Sequence, residues 1–211
     1  MNSITICNLA LARLGLPAIT SFDEAGNVAQ TCRTLFPVCR DRVLRDHLWS
    51  FATAFFPLSA AAEPSPDPAY GVAAHLPGDL VRIIRIAEDM PFRRIGHLIC
   101  LPGLPATLVY IRQVDDPELF DPAFAEALGY LLAAEIAMSN TRDAGLVRTF
   151  SDEYRLRIAA ARSIDSQENA HSLQTGRRRS SFIAARASGG SSGPGSCGSR
   201  VVITRGTEGA E

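Results

Sequence analysis

The chain has 211 residues, 46% of them hydrophobic, with a formal net charge of −1, which is enough apolar material for one domain with its own core. No apolar run reaches the ~18 to 20 residues of a membrane helix, and the stretch Met1 to Ala10 lacks the basic start and cleavage site of a secretory leader, so no membrane partner and a cytoplasmic origin are expected. All 21 basic residues are arginines, and they are distributed unevenly: 15 against 20 acids in residues 1 to 168, but 6 against 2 in residues 169 to 211.

Ile4, Cys7, Leu11 and Leu14 fall at helical spacing, and Gly15 followed by Pro17 supplies helix-ending chemistry. The first helix is therefore predicted over residues 3 to 14. Ser21 to Glu24 has the spacing of a capping box, and Val28, Cys32, Leu35, Cys39 and Val43 recur on one face, which predicts a second helix over residues 22 to 47. Pro37 lies inside it without a backbone donor, so a kink or break is expected near Leu35.

Pro64, Pro66, Pro68 and Gly71 interrupt regularity, and three β-type runs follow: Leu80 to Ala87, Arg94 to Leu101 and Thr107 to Val114. They predict a small antiparallel sheet within residues 76 to 114. Asp121-Pro122 opens the next helix, over residues 122 to 140, with Phe124, Leu128, Leu131, Leu132 and Met138 as its apolar stripe. The last helix, over residues 143 to 165, buries Leu146, Phe150, Tyr154, Ile158 and Ala161 and turns Arg155, Arg157 and Arg162 outward. The class is α+β, mainly α: a helical bundle with a small antiparallel sheet inserted, forming one domain over residues 1 to 168.

Residues 169 to 211 lose periodicity, and Ala187 to Ser199 is linker-like, so a flexible, extended tail is expected, ordered only by a partner. Val201, Val202, Ile203 and Thr204 form a short β-prone piece beyond the linker, suited to adding a strand to another chain's sheet. Arg177, Arg178, Arg179 and Arg186 would steer the tail onto an acidic surface. The same arginines would also suit phosphate backbone.

Chemistry-bearing motifs are scarce. No phosphate-cradling glycine loop, H-E-x-x-H, G-x-S-x-G or nucleotide fingerprint occurs. His47, His75, His97 and His171 lie in four different segments, and Cys7, Cys32, Cys39, Cys100 and Cys197 are odd in number and scattered, so they read as reduced thiols. No catalytic residue, cofactor or metal site is expected, and the chain is not expected to be an enzyme. Trp49 and Phe51 stand in an aromatic run and are assigned to the core. Glu135 falls on the apolar stripe, where a lone carboxylate is costly. It is expected in a buried ion pair with an arginine of the first two helices, or across a subunit boundary.

Several stretches carry a family resemblance: Asn8 to Gly15, the turn Ile19 to Asp23, Leu76 to Asp79 ahead of the strand Val81 to Arg85, Tyr110 to Arg112, and Asp116 to Phe124. The strongest is Val38 to Ala52, with its Arg-Asp-x-Val-Leu-Arg-x-His-x-Trp-x-Phe-Ala run. Over residues 4 to 168, in order and with compatible spacing, the chain resembles the tail tubular protein A family of short-tailed phages. That family forms the head-to-tail connector, and in it the same run is followed by a chain that enters the sheet.

The resemblance implies a structural adaptor whose copies form a ring of roughly twelve between portal protein and the tail or nozzle protein below. The portal is then the partner onto which the tail, through Arg177, Arg178, Arg179, Arg186 and Val201 to Thr204, is expected to reach. DNA would pass through the channel, without sequence-specific binding, during ejection. The implied location is the head–tail interface of the virion. The body's acidity and its outward arginines would supply two different complementary faces. A nucleic-acid-binding regulator using the arginine-rich tail is the competing reading, and it predicts binding that weakens steeply with salt.

Overall fold

The computed structural model of the protein describes residues 1–141 and 143–173. Residues 1 to 171 form one unit, and α1 (Ser3–Arg13) opens it. The Asn2 side chain caps α1 by accepting from Thr5 N at 2.7 Å. At its other end Gly15, at φ +66°, lets Gly15 N and Leu16 N bond back to the Ala12 and Leu11 carbonyls at 3.1 and 3.0 Å. A side chain with a Cβ resists that left-handed conformation, which is why glycine ends the helix.

α2 spans Asn27–Asp46 and starts five residues later than the capping-box spacing predicts. The box satisfies the loop instead. Glu24 accepts from Thr20 N and Thr20 Oγ1 at 3.0 and 3.2 Å, and Ser21 Oγ accepts from Asp23 N at 3.1 Å, so those side chains are spent before the helix begins. The helix also runs unbroken through Pro37, so the break expected near Leu35 does not occur. Cys32 and Phe36 before the proline and Cys39, Val43 and Leu44 after it are all buried in one core, and that shared packing outweighs a single missing donor.

Two three-stranded antiparallel sheets follow, not the one expected. β1 (Thr53–Pro57), β6 (Thr107–Arg112) and β3 (Leu80–Ile86) make the first, with β6 central. β2 (Val72–His75), β5 (Leu98–Leu101) and β4 (Arg93–Ile95) make the second. β1 and β2 lie ahead of the predicted boundary at residue 76. The run predicted as one strand, 94 to 101, is a hairpin in which Arg94 faces Ile99 and Ile95 faces Leu98 across Gly96-His97. Gly96, at φ +59°, supplies the positive φ that a two-residue hairpin turn requires.

β6 divides two cores. Its Ile111 joins the helical core, while Leu108 and Tyr110 face the second core with Leu58, Ala74, Ile86, Ile99 and Leu101. Alternation along a strand buried on both faces explains the nearly continuous apolar run Leu108 to Ile111.

α3 (Pro122–Ile136) begins where Asp121 Oδ1 accepts from Ala123 N at 2.8 Å and Phe124 N at 3.1 Å, with Pro122 in the first turn. A π-helical turn, Ala137–Thr141, follows. The extra residue per turn shifts the helical phase, so Met138 leaves the predicted stripe and is 64% exposed. α4 spans Ala144–Leu173, running beyond the predicted end at 165; it buries Phe150, Tyr154, Ile158 and Ala161 as expected, while Leu146 is only partly buried against the same core. The architecture is α+β, with four helices enclosing one core and the two small sheets a second.

Candidate interaction site

The segment after α2 joins helices to sheet, and it is built from the motif run Val38 to Ala52. Val43, Leu44, Trp49 and Ala52 are buried. Trp49 donates Nε1 to the Val43 carbonyl at 2.9 Å and meets Phe124 edge-on at 5.1 Å, so its assignment to the core holds. Phe51 packs against the same core but stays half-buried, because the 3-10 turn Ser50–Ala52 swings it toward the rim beside Phe120.

Arg40 is buried in α2, donating to Asp41 Oδ1 at 2.8 Å and to Asp115 Oδ1 at 2.6 Å. Asp165 of α4 is buried as well. It accepts from Ser50 N at 3.0 Å and from the Ser50 hydroxyl, and stands 2.9 Å from His47 Nε2. Serine, histidine and aspartate meet here, but the carboxylate holds both other groups. The Ser50 hydroxyl donates to Asp165 and not to the imidazole, so the arrangement is not that of a serine activated by a histidine, and the trio works as a latch. About three turns earlier on α4, Tyr154 donates its hydroxyl to Asp46 Oδ2 at 2.7 Å. Burial, then that hydrogen bond, pushes the phenol well above its ordinary range.

Glu135 pairs with Arg42 of α2 at 3.1 Å, but its side chain is 40% exposed. The expectation of a buried pair is corrected. Cys39 takes the interior place, and Glu135 sits at the rim of the α2–α3 contact, where solvent shares the charge. Three of the arginines of α4, those expected to turn outward, are held in ion pairs. Arg155 pairs with Asp152, Arg157 with Glu126 and Glu153, and Arg162 turns back to Asp46.

The tail residues Arg177, Arg178, Arg179, Arg186, Val201, Val202, Ile203 and Thr204 lie outside the described residues. Among the described residues no group of three or more His, Cys, Asp or Glu side chains is placed to hold a metal ion, and no helix is long and apolar enough to cross a membrane. Large exposed apolar side chains stand on different elements: Phe55, 66% exposed, on β1, and Leu156, 65% exposed, on α4.

The latch and the buried Arg40 were not legible in the sequence. Their partners lie 115 to 118 residues away for Asp165 and 75 away for Asp115. The one signal was the density of charged residues in the run Arg40 to His47. No family model and no curated protein matches the chain.

Proposed function

We propose that this chain is a structural head-to-tail adaptor of a tailed bacteriophage, whose copies form a ring between portal and tail around the DNA channel. The observation that carries the reading is that the stretches on which the resemblance rests are also the joints of the fold. Asn8 clamps the Ile19 backbone through its amide nitrogen and oxygen, both at 2.9 Å. Arg40 reaches Asp115, next to the Asp116 to Phe124 stretch, and Tyr110 donates to Asp79 at 3.0 Å. Each contact ties one quoted stretch to another or to its immediate neighbour, as a shared architecture requires. A head-to-tail ring needs two unlike faces on one subunit, and Phe55 on the β1 edge and Leu156 on α4 offer two.

Sedimentation of the full chain, alone and with portal rings from the same genome, tests this. The adaptor reading expects co-sedimentation with portal and DNA binding no stronger than background. A chain that ignores portal but binds duplex DNA with a steep salt dependence would favour the regulator instead.

A further inference from the structure

We infer that His75 and His97 form a surface site for a divalent transition-metal ion of the nickel, copper or zinc type, independent of the adaptor reading. His75 ends β2, and His97 occupies the turn between β4 and β5. Leu76 N donates to the His97 carbonyl at 3.1 Å, which extends the β2–β5 ladder one step and holds the two backbones side by side. The turn is fixed by Gly96 at φ +59° and by Arg94 Nε donating to the Gly96 carbonyl at 3.1 Å. The two imidazoles are therefore presented by a paired backbone rather than by a loose loop.

The rings lie with centroids 6.0 Å apart and planes within 9°. Taking about 2.1 Å for a metal–nitrogen bond and about 1.1 Å from ring nitrogen to ring centre, two imidazoles on one ion have centres ~5.2 Å apart at the tetrahedral angle and ~6.4 Å apart when opposed. The observed spacing falls between these limits. Both side chains are exposed, so the rings can turn about χ2 toward a shared point without losing buried contacts. No ring nitrogen of either histidine has a hydrogen-bond partner among the described residues, so each ring has a nitrogen available to an ion.

No third protein ligand converges on the pair among the described residues, so water completes the coordination sphere. Imidazole nitrogen suits nickel, copper and zinc rather than magnesium or calcium. The Arg94 guanidinium beside the turn adds positive charge and holds the affinity down. These features describe a weak two-ligand site.

Isothermal titration of the untagged full chain with nickel chloride at neutral pH tests the assignment. The expected result is one saturable ion per chain, weakened about tenfold or more by His75→Ala and by His97→Ala and unchanged by His171→Ala. His75→Gln and His97→Asn, which keep side-chain size and polarity, are expected to lose the ion while leaving the melting temperature of the metal-free chain unchanged. Absence of saturable uptake below about 1 mM nickel, or uptake that survives both histidine substitutions, would overturn the site.

Discussion

His47 at the end of α2 and Asp165 on α4 stand 2.9 Å apart, and with the two Ser50 donors they join the helical bundle to the strand that opens the first sheet. Asp165→Ala removes the acceptor and leaves Ser50 N without its partner. The expected cost is about 3 kcal/mol, the scale for breaking a buried charged hydrogen-bond set. Urea unfolding of wild type and variant measures it, and a midpoint left in place would show that α4 is held by its apolar face alone.

Trp49 is fully buried against Phe124 and His47, with its indole N–H bonded to the Val43 carbonyl. Trp49→Ala is expected to destabilise the fold by roughly 3 to 5 kcal/mol. A melting curve unchanged by the substitution would contradict this packing.

Tyr110 is pushed up to about 12, first by burial and then by the hydrogen bond to Asp79, and Tyr154 moves in the same direction. Because the folded state holds these protons more tightly than the unfolded chain, their contribution is complete below about pH 10 and declines as pH rises toward 12. Stability followed by urea unfolding from pH 8 to 11 is expected to fall at the alkaline end. Tyr110→Phe and Tyr154→Phe should each flatten that fall. An equally steep decline in both variants would assign the effect to other groups.

Gly129 stands mid-helix in α3, where a Cβ would lie 2.9 Å from Arg13 Nη1, and the Arg13 guanidinium lies 3.6 Å from the Tyr130 ring centre. Gly129→Ala gains up to about 1 kcal/mol of helix propensity and displaces a cation–π contact of about 0.5 to 1 kcal/mol. The two nearly cancel, so thermal unfolding should shift little. A loss above about 2 kcal/mol would mean that Arg13 cannot move aside.

Cys7, Cys32, Cys39 and Cys100 are buried free thiols. A hydrogen bond to Cys32 and then burial push Cys7 far up, and burial followed by the Glu135 charge pushes Cys39 to about 12. Because all four thiols are buried and a buried structural cysteine is inert, a Cys197→Ser variant is expected to resist a disulfide-exchange reagent until denaturant is added. Rapid labelling of the native variant would show that the core opens readily.

The helices were legible because their cores repeat every three or four residues and because Gly15 and Asp121-Pro122 mark real boundaries. The second sheet was not legible: β2 and β4 are four and three residues long, too short for alternation to register. The phase of Met138 was lost because a π-helical turn leaves no trace in a 3.6-residue pattern. Charged side chains were hardest to place. Arg40 and Glu135 occupy similar positions on their wheels, yet Arg40 goes inside to meet Asp115 while Glu135 stays at the rim with Arg42. Which of them is buried depends on partners supplied by other elements.

The adaptor reading is tested most directly by a three-dimensional reconstruction of the neck of tailed particles produced with this chain. The account predicts a closed ring between portal and tail, into whose subunit density the four helices and two sheets of residues 1 to 171 fit, with α4 and the β1 edge at the two subunit boundaries. Neck density that cannot accommodate this fold, in particles from which the chain is absent, would contradict it.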